Sequence, residues 1–147
     1  MKIEIMEYNP DWTKNFEEEK IKLLRFFGSH AVAIEHIGST AIPNQRAKPV
    51  IDIFIGVSPF AELTFYQRIF NAKEYHHTPT DMTSRYLFAK YTNEVWTHNL
   101  HDLPYNDGFY LRNEFLLRDY LREHPKLADE YGEVKERAAM ENGSTME

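Results

Sequence analysis

The chain has 147 residues, enough for one domain and too few for two. Lys and Arg total 17 against 23 Asp and Glu, a net charge of -6 that argues against general nucleic-acid binding. Cysteine is absent, which excludes disulfides, thiolate metal sites, Cys nucleophiles and iron–sulfur clusters. Ten Phe, nine Tyr and two Trp promise a well-packed core or an aromatic-lined pocket. No apolar run is long enough for a signal peptide or a membrane span, so a cytoplasmic protein without membrane contact is the expectation.

In chain order, Lys2 to Glu7 alternates and reads as a short strand or arm. Asn9-Pro10-Asp11 then opens a helix, with Asn9 as cap, Pro10 in the first turn and Asp11 complementing the dipole. Trp12, Phe16, Leu23, Leu24 and Phe27 form its apolar stripe, Glu17-Glu18-Glu19-Lys20 its solvated face, and Gly28 its stop. Ala31 to Ile37 is a strand ending at Gly38-Ser39-Thr40, and Ala41 to Ala47 is a loop. Pro49 to Val57 is the strongest strand, with Ile51, Ile53, Ile55 and Val57 on one face and Val50, Asp52 and Phe54 on the other.

Ser58-Pro59 is expected to cap a second helix reaching Phe70, with Phe60, Leu63 and Phe70 inside. Asn71 to Ser84 is ambiguous. Arg85 to Tyr91 and Glu94 to Asp102 read as a hairpin turning at Thr92-Asn93. A third helix starts at Asp107-Gly108 and stops before Pro125. A fourth runs from Pro125 to about Ala139, with Leu127, Tyr131, Val134 and Ala138 inside, followed by a frayed tail over 141–147. Strands interleaved with about four helices predict an α+β domain over 1–140, built on a mixed sheet.

Four places carry candidate chemistry. Gly38, Ser39 and Thr40 follow a strand and can cradle phosphate oxygens, although a plain turn is the simpler reading. Asp52 lies among apolar neighbours, so its charge needs a metal or a partner such as Lys48, two alternatives the sequence leaves open. In His98-Asn99-Leu100-His101-Asp102, His98 and His101 point to opposite faces. His101 is a candidate metal or phosphate ligand, and His98 a hydrogen-bonded, half-buried residue. Arg118 and Arg122 sit four apart on the third helix. They either face an anion or are offset by Glu114. P-loop, Rossmann, zincin, EF-hand and α/β-hydrolase motifs are all missing.

Read together, Tyr8-Asn9-Pro10-Asp11-Trp12, the run Glu35 to Pro43, Ala47-Lys48-Pro49-Val50-Ile51-Asp52-Ile53, His98-Asn99-Leu100-His101 and Leu117-Arg118-Asp119-Tyr120-Leu121-Arg122 resemble the GrpB family, over about Tyr8 to Lys135. That resemblance implies a nucleotidyltransferase-like fold, a mixed sheet flanked by helices. It also implies a nucleotide or phosphorylated small molecule as ligand, and Mg2+ or Mn2+ as cofactor. Gly38 and Ser39 match the turn that holds a triphosphate, and Asp52 the second aspartate of an Asp-x-Asp strand motif whose first position is Val50.

On that basis Asp52 and His101 are the expected catalytic residues, and Asp52, Glu35 and His101 the expected metal ligands, His101 favouring Mn2+ or Zn2+ over Mg2+. Gly38, Ser39, Thr40, Arg46, Lys48, Arg118 and Arg122 are the expected phosphate contacts. The loss of the first aspartate opens the alternative of a non-catalytic nucleotide- or phosphometabolite-binding module. A homo-oligomer is expected on base rates alone.

Overall fold

The computed structural model describes residues 4–70 and 74–142, so Lys2 and Ile3 of the first expected strand and 143–147 of the expected tail fall outside the described residues, while Met6 makes a single antiparallel bridge to Ala47. Its elements are α1 (Asp11–Phe27), β1 (Ala31–Ile37), β2 (Ile51–Val57), α2 (Leu63–Phe70), β3 (Tyr75–Thr78), β4 (Tyr86–Thr92), β5 (Val95–Pro104), α3 (Asn113–Glu123) and α4 (Pro125–Asn142). Three one-turn 3-10 segments join them at Gly28–His30, Ser39–Ala41 and Phe109–Leu111.

The five strands form one mixed sheet in the order β1-β2-β5-β4-β3. All pairs are antiparallel except β2 with β5, whose parallel register sets Asp52 beside Asn99 and Phe54 beside His101. The β4–β5 turn uses Asn93 and Glu94, both at positive φ, as a tight hairpin requires. The ambiguous stretch 71–84 holds the edge strand β3, a four-residue element too short to show a clear alternation.

Alternation along β2 assigns the two faces. Ile51, Ile53, Ile55 and Val57 face α1 and α2, where Trp12, Phe16, Leu23, Phe27, Tyr66, Phe70, Phe88 and Leu100 complete the main core. Each such side chain contributes roughly 1.5–3 kcal/mol on burial. Phe54 faces the other way, into a smaller core with Ile37, Leu103, Phe109 and Phe115 beneath α3. A third cluster of Ile42, Leu121 and Ala128 holds α3 and α4 against the loop after β1.

Several boundaries and faces differ from the sequence expectation. Asn9 does cap α1, its Oδ1 accepting from the Asp11 amide at 2.9 Å, and Gly28 (φ +56°) ends it. The buried stripe of α1, however, is Trp12, Phe16, Glu19, Leu23 and Phe27. Steps of four and three residues put Glu19 inside and leave Leu24 exposed. The second helix starts at Leu63, not at Ser58, and the third at Asn113, after a 3-10 turn. On α4, Leu127 and Val134 are exposed and Ala128 and Gly132 are buried, because small residues let the helix approach Ile42, Leu121 and the Arg46 backbone. Among the described residues, no helix is long and apolar enough to cross a membrane.

Candidate functional site

The α3 face of the sheet is not fully covered. Beyond Phe54 it opens into a cavity of about 390 Å3, walled by the Gly38–Thr40 turn, Lys48, Val50 and Asp52 from around β2, Asn99 and His101 from β5, Arg85 just before β4 and Leu87 within it, and Glu114 from α3. This volume lies in the usual range of small-molecule pockets, roughly 300–1,000 Å3.

Asp52 is the pivot. Its row neighbours in the sheet are Ile37 on β1 and Asn99 on β5. Asn99 donates from Nδ2 to Asp52 Oδ1 at 3.3 Å, and its own Oδ1 accepts from Trp96 Nε1 at 3.1 Å. The other carboxylate oxygen tucks under the turn: a Cβ at residue 38 would lie 2.7 Å from Asp52 Oδ2. Gly38 also has φ +77° and ψ -173°, a region nearly closed to other residues. Both facts explain the glycine. Lys48 lies over the Trp96 ring, 5.1 Å from its centroid, so the same indole orients both the Asn99–Asp52 chain and the lysine.

Across the cavity, Arg85 stacks on Phe54 and donates from Nε and Nη2 to His101 Nδ1, both at 3.2 Å. Its Nη1 pairs with Glu114 Oε2 at 3.3 Å. A nitrogen that accepts from arginine carries no proton, so neutral His101 is protonated at Nε2. Burial and the Arg85 charge lower its pKa to about 3. At neutral pH His101 is therefore a fixed hydrogen-bond donor. That geometry speaks against the general-base and metal-ligand roles expected of it.

The metal set does not assemble either. Glu35 accepts from Tyr110 Oη at 2.9 Å and from Arg118 Nη1 at 3.1 Å, and is absent from the cavity wall. Among the described residues, no three His, Asp or Glu side chains form a group that could hold a metal ion. Val50 occupies the wall where the Asp-x-Asp pattern has its first carboxylate. The donor set thus does not fit a resident two-metal centre.

Of the expected phosphate contacts, Gly38, Ser39, Thr40 and Lys48 reach the cavity and three others do not. The Thr40 hydroxyl is itself engaged by His36 Nε2 at 2.9 Å. Arg46 is bracketed by Glu7 at 3.5 Å and Glu133 at 3.9 Å. Arg118 donates to the His36 carbonyl at 3.0 Å and Arg122 to the Ala41 carbonyl at 2.9 Å. The two arginines clamp α3 onto the main chain on either side of the Gly38 turn, and Arg118 also pairs with Glu35, instead of both facing the cavity. Glu114 pairs with Arg85, not with Arg118, because it projects toward the cavity.

Arg85, Asn99 and Glu114 are the site residues that sequence reasoning missed. Asn99 was traceable, since it alternates with Leu100 and shares a face with His101. Arg85 and Glu114 enter only through the β4–β5 pairing and the docking of α3.

The opposite face carries a second polar concavity of about 490 Å3 beside α1, lined by Glu19, Lys90 and His98 among others. There Lys90 Nζ contacts Glu19 Oε1 at 2.6 Å, and Tyr75 Oη donates to Glu19 Oε2 at 2.8 Å. The Tyr75 hydroxyl is pushed well up by burial and by Glu19. Burial lowers His98 to about 4, and its Nδ1 lies 2.8 Å from Thr97 Oγ1, the hydrogen-bonded state expected of it. Near the Tyr66 hydroxyl, Asp102 is fully buried, makes no hydrogen bond and has its pKa raised well above the carboxylate range by burial.

Fold and site define an α+β protein whose five-stranded mixed sheet holds a cavity behind a glycine turn and an aspartate strand. The chain belongs to the GrpB family: the model described as GrpB protein matches residues 2–147. It is 39% identical over 145 residues to UPF0157 protein YqkA of Bacillus subtilis (strain 168), covering 96% of this chain and 41% of that one. It is 31% identical over 140 residues to glutamate-rich protein GrpB of Alkalihalophilus pseudofirmus, covering 92% and 80% of the respective chains. The chain thus spans about two fifths of the length of YqkA. A crystal structure of the conserved protein GrpB from Enterococcus faecalis superposes with a TM-score of 0.86 at 30% identity, covering 96% of this chain and 86% of the other.

Proposed function

We propose that the Asp52 cavity binds a nucleotide or another phosphorylated small molecule, and that the protein acts as a binding module for it. The observation that carries this reading is the mixed charge of the wall. Lys48 and Arg85 face Asp52 and Glu114 around one space, with the Gly38 turn at its rim. Such a wall suits a ligand with an anionic end and a donor-rich end. Lys48 and the His101 Nε2–H serve the phosphate, and Asp52 accepts from sugar hydroxyls or a base amino group. Val50, Leu87 and Met82 supply apolar contact for the remainder.

Nucleotidyl transfer is the second reading, favoured by Asp52 lying directly beneath the Gly38–Ser39 turn. With a single carboxylate on that strand, any Mg2+ or Mn2+ arrives with the ligand phosphates, as Mg2+ commonly does.

A thermal-shift screen of nucleotides and coenzyme A precursors, with and without Mg2+ or Mn2+, tests both. A ligand at a hundred times its dissociation constant stabilises by about 2.7 kcal/mol. A shift indifferent to metal, abolished by Asp52→Asn, is the expected result. A shift that requires metal moves the assignment to transfer, and the absence of any shift defeats the reading.

A further inference from the structure

The helix α3 is buried on one side only. Phe115 and Leu121 face the core and Arg118 is pinned beside them, while Leu116, Leu117 and Tyr120 stand out at 54%, 45% and 51% exposure, with Leu111 just before the helix at 69%. These residues are contiguous, and with Asn113 and Glu114 three of them line an open concavity of about 590 Å3. A continuous apolar face of this kind marks an interaction surface more often than a bare one.

The charges at its ends say what covers it. Arg112 flanks the N-terminal end of α3 and Glu123 is its last residue. Eleven residues apart, they are about three turns from each other and fall on the same flank. Each sits at the wrong end of the helix dipole, a cation at the N-terminus and a carboxylate at the C-terminus. Within the chain neither is compensated: among the described residues neither makes an ion pair, and Arg112 Nε is buried without a hydrogen bond. The midpoint between them falls between residues 117 and 118, within half a residue of position 118, about which Leu116 and Tyr120 are symmetric. Apolar stripe and charges therefore share one centre.

We propose that this face pairs with a second copy of the chain, α3 against α3 in antiparallel orientation across a two-fold axis. A two-fold axis normal to the helix pair keeps each flank on its own side and exchanges the ends. Arg112 then meets Glu123 of the second copy, twice by symmetry. Leu116 packs on Tyr120 of that copy, and Leu117 lies at the centre. The dimer encloses Glu114, so a partner helix borders the mouth of the Asp52 cavity. The proposal does not depend on the nature of the ligand.

Sedimentation velocity of the full chain over a concentration series is the test. A concentration-dependent dimer is expected. Leu116→Glu is expected to weaken association by about a hundredfold, by forcing two charges into the apolar contact, with the circular dichroism spectrum unchanged. Arg112→Glu and Glu123→Arg are each expected to weaken it by about tenfold, and the double exchange to restore it. A chain that stays monomeric at every concentration overturns the proposal. So does a dimer that ignores Leu116→Glu, and a dimer not restored by the double exchange overturns the antiparallel pairing.

Discussion

Behind α1 and α2, Glu19, Lys90, Tyr75 and Asp102 lie inside or against the main hydrophobic core. In front, below α3, Asp52, Asn99, Arg85, His101 and Glu114 ring a cavity. The two sets meet on β5, whose successive residues alternate between them: Asn99 and His101 face forward and Asp102 backward. Glu19, Lys90 and Tyr75 of the rear set satisfy one another, and burial raises the Asp102 pKa, favouring its neutral form. The front set is braced but open. Arg85 fixes His101, Asn99 fixes Asp52, and one side of each faces the cavity. The difference separates polar groups that build a fold from polar groups arranged to meet a ligand.

Acid should break the rear face first. His36 and His98 are held neutral, His36 at about 3 by burial and by Arg122 and Arg118, His98 at about 4 by burial and by Lys90 and Lys22 against the opposing pull of Glu19. Their folded values lie below the unfolded value of 6.5, so their stabilisation is complete above pH 6.5 and is lost as pH falls toward 3. The loss is about 5 kcal/mol for His36 and about 3 kcal/mol for His98. Asp102 acts in the opposite sense. Its raised value contributes stability that is complete below pH 3.8 and fades as pH rises through the folded value. Calorimetry as a function of pH checks this: Asp102→Asn should flatten the decline at high pH and leave the acid limb in place.

Removing one member of the rear ion pair should come next in size. Lys90→Met leaves Glu19 buried without its cation and should cost about 3–5 kcal/mol in urea unfolding, whereas Lys90→Met combined with Glu19→Gln should recover most of it. On the front face, Gly38→Ala forces a side chain toward Asp52 and into a glycine-only region. It should cost about 1–3 kcal/mol and weaken ligand binding together with stability. Asp52→Asn should sharpen the contrast, losing ligand-induced stabilisation while changing stability by less than about 1 kcal/mol. Tyr110→Phe, which removes an exposed hydrogen bond to Glu35, should shift stability by only about 0.5 kcal/mol.

Local chain chemistry determined much of this protein. Asn9, Pro10 and Gly28 delimit α1, the isoleucine alternation makes β2, and Asn93 turns the hairpin, because capping, periodicity and positive φ act within a few residues. The same local logic put Lys48 and Asp52 on one strand face and Asn99 and His101 on another, while only the GrpB resemblance joined Gly38 and Ser39 to Asp52. Tertiary structure alone decided the rest. Glu19 is buried because Lys90, 71 residues away, meets it across the sheet. Arg118 and Arg122 read as an anion clamp until α3 docks on the carbonyls of His36 and Ala41. His101 reads as a ligand until Arg85 takes its Nδ1. In each case the deciding partner is distant in the chain. A charged side chain's role depends on which opposite charge or carbonyl it meets after folding, and no local pattern encodes that meeting.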